Sequence, residues 1–276
     1  MQKSNFKKVL VFSIIISIIG SVIITIIPVL KANLTDGLVG YWNFNEGSGT
    51  IAYDKSGNGN DCTINGASWN TETPNNEGYA LYFDGVDDYV FHNPFNIFPT
   101  TQISAIFWMK TSDTVQDGTP LSYASATVFN DFVICDYSNF KLSIGDQNAG
   151  GETGETGVSA NDGIWHQIVI TWKSFDGEVK VYKDSVVEYS GTLFTGGAIT
   201  QGGFLAIGSE QDCLGGCWES NQYFKGVIDE IYIYNRVLSQ EEIQYLYNLI
   251  YRVVFPKYQS FVKVHIVLLL PPNYEH

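Results

Sequence analysis

The chain is poor in charge, and poorest in positive charge. Only 16% of its 276 residues are charged, 15 basic against 29 acidic. Four of the basic residues (Lys3, Lys7, Lys8 and Lys31) flank the first apolar run, and the remainder carries 11 against 29, a balance of −18. A body so short of cations repels phosphate backbones, which excludes nucleic acid as a partner. It attracts divalent cations, although most of these carboxylates are accounted for by a solvated acidic surface. Histidine is equally scarce: His92, His166, His265 and His276 are the four present, and none lies near Cys213 or Cys217. That argues against zinc, the rival reading of the cysteines. Gly-x-Ser-x-Gly elbows, His-Glu-x-x-His helices and phosphate loops are all missing, so those chemistries have no motif to rest on.

Aromatics (14%) and Gly (27 residues) are plentiful, a mixture that suits strands and turns. From Gly37 onward, short apolar or alternating runs are separated by Gly, Asn, Asp and Ser clusters. The expected strands are Leu38–Phe44, Tyr79–Phe83, Tyr89–Phe91, Ile103–Lys110 and Asp131–Asp136. Lys141–Ile144, Trp165–Lys173, Glu178–Lys183, Gly203–Ile207 and Val227–Tyr234 follow. Trp165–Lys173 is apolar on both faces and belongs in the middle of a sheet. Asp84-Gly85, Asp162-Gly163, Asp176-Gly177 and Gly202-Gly203 supply the positive φ angles of tight turns. This pattern predicts an all-β, antiparallel two-sheet sandwich, or jelly roll, over residues 37–249. One short C-terminal helix is expected: Ser239 and Glu242 form a capping box, and Ile243, Leu246 and Ile250 recur on one face. Packing across the end of the sandwich is its expected place.

The N-terminus points to export. Lys3, Lys7 and Lys8 precede an uncharged run of 22 residues, Val9 to Leu30, which predicts a hydrophobic helix. A signal-peptide core is usually about 7–15 residues and a membrane span about 20. Residues 1–32 are therefore a membrane anchor or a signal peptide cleaved after Ala32; both remain open. Either way the positive-inside rule puts the chain from about residue 33 onward outside the cytoplasm, secreted or held at the cell surface by residues 9–30. Residues 250–276 change character; their run Phe261–Leu270 is too short to span a bilayer, and the tail is left unassigned.

Outside the cytoplasm four cysteines favour disulfides. Cys213 and Cys217 can close a small loop, leaving Cys62 with Cys135. Around that loop Glu210, Gln211, Asp212, Glu219, Asn221 and Gln222 fall within thirteen residues. Calcium takes six to eight oxygens from carboxylates, amides and carbonyls, so a bent Gly-containing loop with acids at both ends can hold it. A solvated polar loop has equal standing on composition alone.

The stretch from Leu205-Ala-Ile-Gly-Ser-Glu-Gln-Asp212 through Gly226-Val-Ile-Asp-Glu-Ile-Tyr-Ile-Tyr-Asn-Arg-Val-Leu-Ser239 resembles the pentraxin signature and the LamG-like (concanavalin A-like lectin/glucanase) jelly rolls that share it. Gly163-Ile-Trp-His-Gln-Ile-Val-Ile-Thr-Trp172 and Leu38-Val-Gly-Tyr-Trp42 resemble the central and first strands of the same family. The resemblance implies a calcium site made by Glu210, the Gln211 carbonyl and Asp212, with Glu219 and Gln222 holding a second ion. The ions would present a carbohydrate or other oxygen-rich ligand with an open coordination face. The family's Asp-Asn pair falls at Phe129-Asn130; Asn130 fits, and Asp131 is the substitute for the missing acid. The strand-linking pentraxin disulfide falls at Ile106 and Val169 and is absent, so pentameric assembly does not carry over and the oligomeric state stays open.

Other candidates are weaker. Asp54, Ser56, Asn58, Asn60 and Asp61 place oxygens at alternating positions, but such residues also make turns, which is the expectation here. A glucanase needs two carboxylates flanking a cleft, whereas the adjacent Asp229 and Glu230 are expected on opposite faces of a strand. His166 reads as a packed histidine. Trp218 and Tyr223 suit either the core or stacking on a sugar. The sequence therefore points to a non-catalytic, calcium-dependent binding domain, with a structural or adhesion role as the alternative and a glycan-active enzyme as the least favoured.

Overall fold

The computed structural model describes residues 34–115, 117–145 and 151–254; the N-terminal apolar run and the tail beyond residue 254 lie outside them. Its strands begin with β1 (Leu38–Trp42), β2 (Ile51–Ala52), β3 (Cys62–Asn65), β4 (Ser68–Asn70) and β5 (Ala80–Asp84). Next come β6 (Tyr89–Phe95), β7 (Gln102–Lys110), β8 (Leu121–Ala124), β9 (Phe132–Cys135) and β10 (Lys141–Ile144). The last are β11 (His166–Lys173), β12 (Glu178–Lys183), β13 (Val186–Thr192), β14 (Gly203–Ile207) and β15 (Lys225–Tyr234), followed by helix α1 (Gln240–Val254).

They form two antiparallel sheets. The first runs β13-β12-β11-β7-β15-β5-β4, with β1 also on β15. β15 is long enough for β5 to pair with Lys225–Ile228 and β1 with Ile231–Tyr234. The second runs β10-β9-β8-β14-β6-β3-β2. Side chains alternate across each strand, so Ile168, Ile170 and Trp172 of β11 enter the core between the sheets with Phe83, Phe107, Leu205 and Ile231. Val169 points the other way and joins Ile106, Tyr182 and Tyr234 beneath α1. Both faces of β11 are buried, as its apolar sequence requires.

Helix α1 starts as the capping box predicts. The Glu242 amide donates to Ser239 Oγ at 3.3 Å, and the Ser239 amide donates to Glu242 Oε2 at 2.8 Å. Arg236 grips the same carboxylate with two bonds of 2.9 and 2.7 Å. The helix does not cross the end of the sandwich, however. Ile243 and Leu246 pack on the outer face of the first sheet, and Tyr247 stacks on Trp108. Burying each aliphatic side chain there contributes about 2 kcal/mol. The outward residues of β7, β11 and β15 (Ile106, Val169, Tyr234) are the apolar surface that draws it there.

Two sequence expectations change on this fold. Cys62 and Cys135 are free thiols. They sit on β3 and β9, separated by β6, β14 and β8 in one sheet, about 19 Å at the usual strand spacing and far beyond disulfide reach. Asp229 and Glu230 do not face opposite ways either, because a bulge interrupts β15 between Asp229 and Tyr232. Asp229 stands opposite Trp108. Glu230, at φ 51°, accepts from Tyr41 and Tyr232 at 2.9 and 2.7 Å. Both acids are buried, and Glu230 shares the outer face with Tyr232.

Candidate metal centre

The second sheet carries the 208–224 loop on its outer face. Gly208 opens the loop at φ 86°, where a Cβ would come within 2.4 Å of the Phe83 ring, so only glycine fits. Its amide donates to Pro120 O at 3.0 Å and its carbonyl accepts from the Phe224 amide at 2.9 Å, closing the neck of the loop. Ser122 Oγ holds the Ser209 carbonyl at 2.8 Å. The buried Gln211 side chain then folds the chain back over β14: its Nε2 donates to Phe204 O and its Oε1 accepts from the Gly215 amide, each at 2.9 Å. At the tip, Cys213 and Cys217 form a disulfide with Cα atoms 5.4 Å apart. The return limb lies along residues 117–119, with Asp117 N donating to Asn221 O and Thr119 N to Gln222 O, both at 3.0 Å.

This path opens a pocket of about 150 Å³ between the loop and the β9–β10 edge. Its lining includes Glu210 and Gln222 from the loop, Asn130 from the β8–β9 turn, and Asp117, Asp136, Lys141 and Glu152. Val133, Cys135, Leu142 and Ser143 complete it. Glu210 is 3% exposed; burial, then the charges of Asp212 and Glu219, push its carboxyl up to about 8. Burial, then Asp136, likewise raises the Cys135 thiol to about 12, so it stays neutral. Gln222 Oε1 is buried with no hydrogen-bond partner among the described residues.

The residues expected from the sequence are thus sorted. Asn130, Glu210 and Gln222 share the pocket. Asp212 and Glu219 are exposed and near enough to act on the Glu210 charge. The Gln211 side chain is spent on folding the loop, which leaves only its carbonyl for a ligand, as the resemblance implies. Asp131 is turned away: its Oδ2 accepts from the Thr200 amide at 2.9 Å, its side chain is buried, and it does not line the pocket. Asp117, Asp136 and Glu152 were not foreseen. Glu152 arrives through a bridge to Ser143, and Asp136 through a residue at φ 58° leaving β9; neither contact has a local sequence signature.

These donors fit a calcium ion. All are hard oxygens, one carboxyl is held against ionisation by burial and then by its acidic neighbours, and one amide oxygen is buried without a partner among the described residues. Glu210, Asn130, Gln222, the Gln211 carbonyl, Asp212 and Glu219 would hold it. Bound there, it would supply a positive centre for ligand oxygens.

The family follows from the match of this fold and loop to known proteins. The chain belongs to the concanavalin A-like lectin/glucanases superfamily. The family model covers residues 83–244, including the whole loop. A sushi, von Willebrand factor type A, EGF and pentraxin domain-containing protein 1 of Rattus norvegicus is 38% identical over 181 residues, 64% of this chain but 5% of that protein. Neuronal pentraxin-2 of Homo sapiens is 34% identical over 51% of this chain and 32% of its own length. The chain therefore spans a small part of the first and about a third of the second. Among solved structures, the native heptameric SAP-like pentraxin of Limulus polyphemus aligns with a TM-score of 0.52 and 20% identity, covering 60% of this chain and 79% of that one. Domain 4 of AbnA, an extracellular arabinanase of Geobacillus stearothermophilus in complex with arabinotriose, aligns with a TM-score of 0.57 and 22% identity over 76% and 97%. At these identities the two structures establish the lectin-like fold.

Within this pentraxin-like, lectin-like domain the remaining candidates are structural. The Asp54 carboxylate accepts from the amides of Tyr41, Ser56 and Asn60 at 2.8–3.0 Å, which makes its segment a tied turn. His166 bonds Asp184 at 2.7 Å and Asp162 at 3.0 Å, a packed histidine joining two loops. Trp218 packs against Tyr89, Phe204 and Tyr223, with centroids 4.7, 6.1 and 6.5 Å away. This aromatic group pins the loop to β6 and β14. Asp84, Asp87 and Asp88 are the three carboxylates that crowd within 4.8 Å of one another among the described residues. Asp88 and Asp84 accept backbone amides there, so they serve the turn.

Proposed function

We propose that this domain is an exported, non-catalytic recognition module that binds calcium at the 210–222 loop and, through it, a carbohydrate or other oxygen-rich ligand. The observation that carries this reading is the convergence of Glu210, Gln222 and Asn130 on one pocket, with further carboxylates at its edge. A buried acid kept from ionising at neutral pH is costly unless a cation compensates it. The pentraxin and lectin-like relatives support a binding role. The burial of Asp229 and Glu230, with Glu230 taken up by the Tyr41 and Tyr232 hydroxyls, argues against the two-carboxylate chemistry of a glycosidase. Export rests on the basic-then-apolar N-terminus.

The test is calorimetric titration with calcium, followed by a glycan array with and without chelator. Calcium uptake by the wild type, lost in Glu210→Gln and Asp212→Asn, together with glycan binding that the chelator abolishes, is the expected result. Uptake of calcium with no ligand on any array would favour the structural or adhesion role, in which the ion only stiffens the loop. Ligand binding indifferent to chelator would remove the calcium reading.

A further inference from the structure

A second recess, of about 330 Å³, opens on the outer face of the first sheet, a volume that suits a small ligand. The strand register builds it. Val227 of β15 stands opposite Tyr82 of β5 on one side and Lys110 of β7 on the other. Their chain neighbours Leu81, Phe83, Met109 and Ile228 enter the core, so Tyr82, Val227 and Lys110 form one outward row. Lys225, two residues before Val227, shares that face. It is the diagonal neighbour of Tyr82, about 7–8 Å away and within side-chain reach. The far wall is the segment leading into β11, where the Gly163 amide donates to Thr111 O at 2.8 Å. Helix α1 covers the adjoining stretch of β7 through the stack of Tyr247 on Trp108. Neither of those two rings lines the recess.

Tyr82 is an aromatic residue that the fold does not consume. It is 38% exposed. Among the described residues its ring stacks on no other ring and its hydroxyl bonds to nothing. Trp218 and Tyr89 on the second sheet, by contrast, are packed on each other. The two lysines also differ. Lys110 is tied to Glu72 by an ion pair. Lys225 Nζ lies 3.9 Å from Asp113 Oδ1, with the lysine side chain 50% exposed. That separation exceeds a hydrogen bond, so the three N–H donors of this ammonium are uncommitted. Glu72, Asp113 and the Ser112 hydroxyl add oxygens around the rim.

We propose that this recess is a further binding site, independent of calcium, for a sugar that carries a carboxylate. Tyr82 lies against the C–H face of the ring, Lys225 bonds the acid, and the rim oxygens take the hydroxyls. The site stands apart from the 210–222 loop, which belongs to the other sheet, and does not rest on the calcium reading. A neutral sugar keeps the stacking but forgoes the charge-assisted hydrogen bond, which is roughly twice as strong as a neutral one. An acidic peptide keeps the charge but brings no ring for Tyr82.

The experiment is calorimetric titration of the full chain, in chelator, with galacturonate, galactose and a tetraglutamate peptide. The wild type should bind galacturonate about tenfold more tightly than galactose, and the peptide more weakly than galacturonate. Lys225→Gln should erase the preference for the acid, and Lys225→Arg should keep it. Tyr82→Ala should weaken both sugars by about fivefold, whereas Tyr82→Phe, which keeps the ring, should bind them as the wild type does. Absence of galacturonate binding in chelator would overturn the proposal, whether or not calcium restores it. So would equal affinity for the two sugars, a preference that survives Lys225→Gln, undiminished binding by Tyr82→Ala, or peptide binding as tight as that of galacturonate. None of these results bears on calcium uptake at the loop, which the wild-type titration with calcium reads separately.

Discussion

The two outer faces of the sandwich treat buried acids in opposite ways. On the first sheet Asp229 and Glu230 are buried, and Glu230 is bonded by the hydroxyls of Tyr41 and Tyr232. On the second sheet Glu210 is equally buried, but its neighbours Asp212 and Glu219 repel it. The first face is completed by the chain's own side chains. The second gathers oxygens faster than it gathers donors, and a cation from solution is what would complete it. A helix covers one face; a loop leaves the other accessible.

The sharpest way to break this contrast is Glu210→Gln. Removing one partner of a buried charge pair costs about 3–5 kcal/mol, so calcium affinity should fall by at least about a hundredfold in titration. In calcium-free buffer the same variant should be the more stable protein at pH 8. The sign follows from a raised carboxyl pKa: the wild type's stability from this group is fully present below the unfolded value, about 4.3, and is lost as pH rises to about 8. The difference in denaturant midpoint should therefore vanish towards pH 4. Midpoints that do not separate at pH 8 would mean that Glu210 is not strained.

On the opposite face, Ile243→Ala should destabilise the fold by about 2–4 kcal/mol through the cavity it leaves beneath α1, with calcium uptake untouched. Loss of uptake would show that the two faces are coupled. Asp229→Asn should raise stability at neutral pH by about 1 kcal/mol, because burial holds this carboxyl well above its usual range and the amide oxygen can still accept from the Glu230 amide. An effect of similar size, confined to one pH window, belongs to His166. Burial opposes its charge, but the bonds to Asp184 and Asp162 outweigh burial and raise its pKa. Its contribution, about 1 kcal/mol, is present below pH ~6.5 and is lost as pH rises through the raised value. His166→Gln should flatten that slope in thermal melts between pH 6 and 9.

The sandwich was legible because most of its strands carry their own apolar pattern. β11 needed nothing more than Ile168, Ile170 and Trp172 against Val169. β13 was missed because it is an edge strand with Val186 and Val187 exposed, and β8 because four buried residues in a row show no alternation. β2 and β4 are too short to show a period. At the candidate metal centre, Glu210 and Gln222 belong to one continuous loop and were readable together. Asp117, Asp136 and Glu152 reach it by long-range pairing, which leaves no mark on local sequence. Asn130 and Asp131 illustrate the limit: adjacent residues entering a strand face opposite ways, so one lines the pocket while its neighbour caps Thr200.

The neck formed by Gly208, Pro120 and Phe224 has a consequence for inheritance. Entry and exit of the loop are closed by backbone bonds at this neck, so the thirteen residues from Glu210 to Gln222 can be rewritten as long as Gln211 and Trp218, which tie the loop to β14 and β6, are kept. The sandwich acts as a socket, and a new specificity requires only a new plug.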